Sequence, residues 1–155
     1  MLSKEKQIDL FFDNIEGASE YFYVDSKGNL HTHVNTDYIF PKFEIEVFFH
    51  KSFIQINTQI SDKKLIQSNK KRIKSIETLL ESLNPINKNG HFFLNKKTQT
   101  ITFMSLCFLE DIINADNPWL ILFSGIETIS FFADSIQEVI GGSNTFYLKH
   151  PINSN

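Results

Sequence analysis

The chain of 155 residues is 41% hydrophobic and 21% charged, which predicts a single domain over residues 1–155 with a substantial core. Its 15 basic and 18 acidic residues leave a net charge of −3, a balance that argues against a general binder of nucleic acid. One cysteine cannot form an internal disulfide, so we expect a protein of the reducing cytoplasm.

The first predicted elements are a helix and two hairpins. Ser3 is a suitable N-cap and Gly17 a suitable end for a helix whose apolar side chains share one face. Two short strands follow within residues 21–34. Residues 43–50 and 52–60 then alternate between apolar and polar side chains, which predicts antiparallel strands with one covered face and one solvated face.

A second helix and a further hairpin are predicted in the middle of the chain. The helix covers residues 61–85, because its aliphatic side chains recur at helical spacing and Pro85 prevents its continuation. The hairpin covers residues 90–109. Its second arm, residues 101–109, is apolar on both sides, which is typical of a central strand covered on both faces.

The last large predicted element is one helix over residues 117–142. Asn117 is its N-cap, Pro118 occupies the first helical position, and Gly141 lies at its end. Glu127 interrupts the most apolar stretch of the sequence, and no uncharged run reaches about 18 residues, so we expect no membrane-spanning segment.

Two large apolar residues, Leu120 and Phe131, lie within the polar face of this last helix. They form a contact surface for a second subunit or client, or else the loose tail, residues 143–155, covers them with Phe146 and Tyr147. Both interpretations remain open from the sequence. The tail could also add a last strand.

The element order α-β-β-β-β-α-β-β-α lacks strict alternation of strands and helices. It predicts an α+β fold with a mainly antiparallel sheet of five or six strands and helices packed on one side. We find no internal repeat and no low-complexity linker that would divide the chain into two domains.

The second half of the chain resembles a known family in the apolar spacing of its hairpin and last helix. Gly90, Phe92 and Leu94 in the first arm, with Thr100, Ile101 and Phe103 in the second, are similar to the hairpin of YbjN-type proteins. These are described as bacterial sensory transduction regulators and share their fold with type III secretion chaperones. The resemblance implies a bacterial protein with a binding or chaperone-like role, often as a homodimer, and brings no catalytic residues.

Three groups of residues could carry chemistry, and each has a simpler explanation. His31 and His33 would share a strand face and could bind zinc, but nothing at an obvious spacing completes a set of ligands. Glu44 and Glu46 could act as paired acids, but they alternate like any solvated strand face. Cys107 lies in an apolar strand, where a small buried hydrophobe is expected. We therefore predict no enzyme, no metal and no cofactor.

A basic stretch over residues 63–74 is the remaining candidate. Lys70, Lys71, Arg72 and Lys74 could bind an anionic ligand, although a solvated basic face is the simpler interpretation. This stretch supports the alternative function, a small-ligand or nucleotide-sensing regulator whose binding would fade with added salt.

The function predicted from the sequence is non-catalytic. We expect a protein-binding, chaperone-like or regulatory adaptor that recognises a protein partner or client through an apolar surface, and that forms a homodimer. The predicted contact residues are Leu120, Phe131 and Phe48, the last of which lies on the solvated face of its strand.

Overall fold

The computed structural model of the protein describes residues 2–61 and 72–141. It confirms the α+β class, with an open, antiparallel six-stranded sheet and helices packed against one of its faces. The strands are β1 (Tyr23–Val24), β2 (Leu30–Asn35), β3 (Lys42–Phe49), β4 (Ile54–Ile60), β5 (His91–Asn95) and β6 (Thr100–Cys107). Their spatial order is β1-β2-β3-β4-β6-β5. The described helices are α1 (Lys4–Asn14), α2 (Ala18–Tyr21), α3 (Ile73–Leu83), α4 (Leu109–Ile113), α5 (Pro118–Leu122), α6 (Ser124–Phe131) and α7 (Ala133–Ile140).

The core lies between the sheet and the helices and is rich in phenylalanine. The predicted alternation of β3 is confirmed, because Phe43, Ile45 and Val47 are fully buried while the residues between them are only half-buried. Edge-to-face ring contacts connect the two layers, which is the geometry that aromatic pairs prefer. The fully buried phenylalanines are Phe11, Phe40, Phe43, Phe92 and Phe103.

The chain between α1 and β2 differs from the sequence prediction. Gly17 adopts a φ of 81°, a conformation that favours glycine, and it leads directly into α2. Tyr21, which the sequence placed in a strand, therefore ends a helix, and β1 is limited to two residues. The ring of Phe22 lies 5.5 Å from the ring of Phe11, so the chain is anchored to the core where it leaves α2.

The sequence predicts that the second arm of the 90–109 hairpin is covered on both faces, by the protein's own helices and by neighbouring elements or a second copy. Among the described residues no element covers the second face at Leu106, and cover by a second copy stays a prediction. This arm forms β6, which lies between β4 and β5, and its residues Ile101 and Phe103 are buried beneath the helices. On its other face Leu106 is more than half exposed. Phe108, which follows the strand and precedes α4, is equally exposed.

The last predicted helix is three consecutive helices, α5, α6 and α7, interrupted at the single residues Phe123 and Phe132. Phe132 packs edge-on against Phe92 with ring centroids 6.1 Å apart. Gly125 allows α6 to approach β4, because a Cβ atom at this position would collide with Thr58.

Several sequence predictions lie outside the described residues. These are the tail, residues 143–155, with its proposed cover over Leu120 and Phe131, and the first part of the second helix, residues 62–71. The remainder of that helix is α3, where the predicted buried positions Ile76, Leu80 and Leu83 all face the core.

Candidate functional site

The three predicted contact residues do not form one surface. Leu120 in α5 is 63% exposed, and Phe131 at the end of α6 is also exposed, so both lie at the outside of the helix layer. Phe48 lies in β3 with its side chain on the opposite face of the sheet, where it is half-buried. No single flat partner could contact all three residues, because the sheet separates Phe48 from the other two.

The first edge of the sheet is only partly covered by its neighbour. β1 pairs with β2 at two positions, Tyr23 opposite His31 and Val24 opposite Leu30. Residues 32–35 of β2 extend beyond the end of β1, because the chain before Tyr23 turns into α2 instead of continuing as a strand. Among the described residues, no strand therefore pairs with this side of β2 over these four residues.

The hydrogen bonds at the end of β2 fix which way its backbone groups point. The N–H of Thr36 donates to the carbonyl of Pro41 (2.8 Å), so Val34, two residues earlier, also directs its backbone groups toward β3. His33 and Asn35 therefore direct their N–H and C=O groups away from β3. No strand among residues 2–61 and 72–141 pairs with them on that side.

An aromatic groove lies beside this open edge. Its wall is formed by Tyr21, Trp119 and Phe123, its other side by residues 32–35, and its volume is about 530 Å³. The indole N–H of Trp119 donates to the carbonyl of Glu16 (3.2 Å), which fixes the ring in place. We call this feature the β2 groove.

The opposite edge of the sheet is closed by a side chain at one position, Phe92. Asn84, just after α3, accepts a hydrogen bond from the N–H of Phe92 (2.6 Å) and donates its amide to the carbonyl of the same residue (3.0 Å). The amide group of Asn84 thus takes the place of a neighbouring strand at this point of β5. Edge groups satisfied in this way cannot pair with another chain.

The face of the sheet away from the core becomes less polar along the strands. One row across the sheet contains His33, Glu44 and Gln59, which are paired in register, and the next contains His31, Glu46 and Asn57. The row beyond them is mixed, because the polar Gln55 lies between the apolar Phe48 and Leu106. Polar chemistry is thus concentrated near β2 and β3.

A cluster of ionisable groups surrounds His31 on this face. Its Nε2 lies 2.6 Å from Oδ2 of Asp25, and its Nδ1 lies 3.3 Å from Oε1 of Glu44 and 3.5 Å from Oε2 of Glu46. The imidazole is only 13% exposed, and the ring of Tyr23 stacks on it with centroids 5.2 Å apart. We call these four ionisable residues, Asp25, His31, Glu44 and Glu46, the His31 cluster.

A buried glutamine holds the two glutamates of the cluster. The side-chain amide of Gln59 donates to Oε2 of Glu44 (3.1 Å) and to Oε1 of Glu46 (3.3 Å). Its own carbonyl accepts from the hydroxyl of Thr100 (3.0 Å), which orients the amide. Each glutamate therefore presents one oxygen to Gln59 and the other to His31.

The pKa values in the cluster follow from this geometry. The backbone N–H of Asn29 and the ring of His31 hold the pKa of the Asp25 carboxyl well below its usual range. Burial and the neighbouring charge of Glu44 raise the pKa of Glu46. Burial alone would lower the pKa of His31, but the attraction of Asp25, Glu46 and Glu44 outweighs it and raises this pKa.

The sequence identified these residues as two separate pairs and missed that they belong together. It interpreted His31 and His33 as exposed histidines and Glu44 and Glu46 as a solvated face, which is wrong for His31 and for the half-buried glutamates. The missing information was the register, since the turn between β2 and β3 decides which residues lie opposite His31. His33 is exposed and lies outside the group of side chains that could share a cation.

Cys107 and the basic stretch were the other candidates. Burial, with a smaller contribution from Asp111, raises the pKa of the Cys107 thiol to about 11, which disfavours the reactive thiolate. Lys70 and Lys71 lie outside the described residues. Arg72 caps the start of α3 and Lys74 is exposed within its first turn, so the prediction of an anion site at these residues stays a prediction.

Comparisons with known proteins do not assign the chain to a family. No protein-family model, no characterised protein and no solved structure matches the chain. Within residues 2–61 and 72–141, none of the helices has the length and apolar character needed to cross a membrane.

Proposed function

We propose that the protein is a non-catalytic binding protein that holds an extended segment of another protein at the open edge of β2. The observation that carries the proposal is the pair of outward-facing residues, His33 and Asn35, whose backbone donors and acceptors have no strand partner in the described part of the chain. A strand added to such an edge forms main-chain hydrogen bonds that depend little on its sequence.

The β2 groove would supply the selectivity. In an added strand every second side chain points to the same face of the sheet as Thr32 and Val34, which line the groove together with the aromatic wall. An apolar side chain of the partner would there contact Tyr21 and Trp119. Aromatic side chains that are already fixed in place are favourable contacts, because little conformational entropy is lost on binding.

The occupant we propose is a slim extended segment and not a second copy of this protein. β1 already occupies the same line as far as Tyr23, so an added strand has room opposite only four residues, 32–35. A second copy would bring its own β1 and helix layer into this space, whereas an extended segment has neither. The resemblance to YbjN-type proteins, which implies binding or chaperone-like roles, supports the same class of function.

The test selects random displayed peptides on the purified protein and follows the backbone amides by hydrogen exchange. We expect selected peptides to slow the exchange of the N–H groups of His33 and Asn35. The N–H of Val34 is the internal control, because it already pairs with β3 and should change little. Peptides that protect other amides and leave these two unchanged would contradict the proposal, as would occupation of the edge by a second copy.

A matched pair of variants separates the groove from the surface predicted by the sequence. Tyr21 and Leu120 are both 63% exposed, but only Tyr21 lines the groove. Tyr21→Ser should lower the affinity for a selected peptide by roughly tenfold, since an aromatic contact residue of this kind typically contributes more than about 1 kcal/mol to the binding free energy. Leu120→Ser should leave the affinity unchanged. The reverse result would assign binding to the surface near Leu120 and Phe131.

A further inference from the structure

The arrangement of the His31 cluster is not explained by peptide binding at the edge of β2. The Nδ1 atom of His31 and one oxygen each of Glu44 and Glu46 point at one another, and all three atoms lie within 4.8 Å. When the imidazole is neutral and its Nε2–H is donated to Asp25, Nδ1 carries a lone pair. Three electron-rich atoms then face a common point, which is unfavourable unless Nδ1 takes up a proton or a cation lies between the three atoms.

We infer that His31, Glu44 and Glu46 form a binding site for a divalent transition-metal ion, with Asp25 and Gln59 as the residues that orient the ligands. A single proton on Nδ1 can be shared with one carboxylate oxygen at a time, whereas a metal ion satisfies all three atoms together. The site lies on the face of the sheet away from the β2 groove and does not depend on the proposed function.

The distances fit a metal of this class. Ligand atoms at the usual zinc bond lengths of roughly 2.0–2.2 Å lie about 3.4 Å apart when they are arranged tetrahedrally. The separations from Nδ1 of His31 are 3.3 Å to Glu44 and 3.5 Å to Glu46. Small adjustments of the glutamate side chains are enough to place the three atoms around one ion, and water can complete its coordination.

The residues behind the ligands have the arrangement that metal sites require. A metal-bound imidazole usually donates its other N–H to a carboxylate, which fixes the tautomer and the orientation of the ring. Asp25 accepts such a bond at 2.6 Å. Gln59, which is 8% exposed, donates to the outer oxygens of Glu44 and Glu46 and leaves their inner oxygens directed at Nδ1.

The ligand set also indicates which ions are suited. One imidazole nitrogen with two carboxylate oxygens fits Zn²⁺, Co²⁺ and Mn²⁺, whereas Mg²⁺ and Ca²⁺ favour ligands that are all oxygen. The probes we choose are therefore Zn²⁺, measured by calorimetry, and Co²⁺, measured by its visible absorption, with Mg²⁺ as the competitor.

The test begins with protein freed of metal by a chelator. We expect one Zn²⁺ or Co²⁺ per chain, and we expect a melting temperature that rises with added Zn²⁺. His31→Gln and Glu46→Gln should abolish both effects. Asp25→Asn should weaken binding roughly tenfold, as the loss of an orienting partner typically does.

His33→Gln is the matched control, because His33 lies on the same strand and face but outside the ligand group. It should bind Zn²⁺ like the wild type. If His31→Gln does not fold, Glu46→Gln carries the test, since Gln has nearly the shape of Glu and removes a charge that Glu44 repels. Three results would overturn the assignment. The first is equal Zn²⁺ binding by the wild type and Glu46→Gln, and the second is loss of Zn²⁺ binding in His33→Gln. The third is displacement of the bound Zn²⁺ by equimolar Mg²⁺.

Discussion

The two edges of the sheet differ in whether their outward-facing backbone groups have hydrogen-bond partners. At β5 the side chain of Asn84 pairs with both backbone groups of Phe92, whereas at β2 the backbone groups of His33 and Asn35 meet no strand in the described part of the protein. Proteins usually protect exposed edges, because open edges pair with other chains. The contrast is confined to single positions, because Leu94, the next outward-facing residue of β5, also meets no strand in the described part of the protein. What distinguishes the open edge of β2 is the aromatic groove beside it.

Hydrogen exchange should show the largest difference between the two edges. The amide of Phe92 is bonded to Asn84 and should exchange more slowly than that of Asn35, by about a hundredfold or more, although both residues lie in edge strands. The measurement is amide exchange followed by NMR on the unliganded protein. Equal rates for the two amides would remove the distinction between a closed and an open edge.

The next effect is on stability. Asn84→Ala leaves two backbone groups of Phe92 without a partner and should lower the free energy of unfolding by about 1–3 kcal/mol, measured by urea denaturation. The variant should also associate at high concentration, because it lengthens the unpaired stretch of β5 from Leu94 to include Phe92. Asn87→Ala is the control. The amide of Asn87 makes one bond, to the carbonyl of Leu83, so its removal should cost less and cause no association.

An Asn84→Ala variant that is as stable as Asn87→Ala and remains at the wild-type mass in light scattering would contradict this account. Such a result would mean that water satisfies the edge of β5 as well as the side chain does. The two edges would then differ only in the groove beside them.

The smallest effect concerns the polar face beside the open edge. The folded protein raises the pKa of His31 above its usual value of 6.5, so the stabilisation from its charged form is complete below that value and is lost as the pH rises through the folded-state pKa. With chelator present, the free energy of unfolding should therefore fall as the pH rises above about 6.5, by less than about 1 kcal/mol. Asp25, Glu44 and Glu46 are the charged groups facing the ring.

The measurement is urea denaturation at a series of pH values for wild type, His31→Gln and His33→Gln. The slope should disappear in His31→Gln and persist in His33→Gln. A slope of the same size in His31→Gln would show that another group causes it.

The sequence predicts those parts of the fold that depend on local patterns. The alternation in residues 43–49 and 54–60 identified β3 and β4, and Ser3 and Asn117 are the N-caps that it indicated. These signals lie within a few residues of the feature that they predict, which is why they succeed.

What the sequence did not predict depends on contacts between distant residues. The helix break at Phe123 has no proline, and the glycine nearest to it, Gly125, lies inside α6, where it serves the approach to Thr58. The His31 cluster needs the register between β2 and β3, which the loop between them sets. The open edge arises because the chain turns into α2 before Tyr23, and Gly17 alone did not reveal that turn.

One carboxylate connects the shape of a loop to the state of the His31 ring. Oδ1 of Asp25 accepts the backbone N–H groups of Lys27 (2.8 Å) and Asn29 (3.0 Å), which shapes the turn between β1 and β2, while Oδ2 accepts from His31. Because both oxygens belong to one rigid planar group, a tilt of the imidazole must rotate the anchor of the turn. The position of the His31 ring and the shape of the turn that follows β1 are therefore held by the same carboxylate.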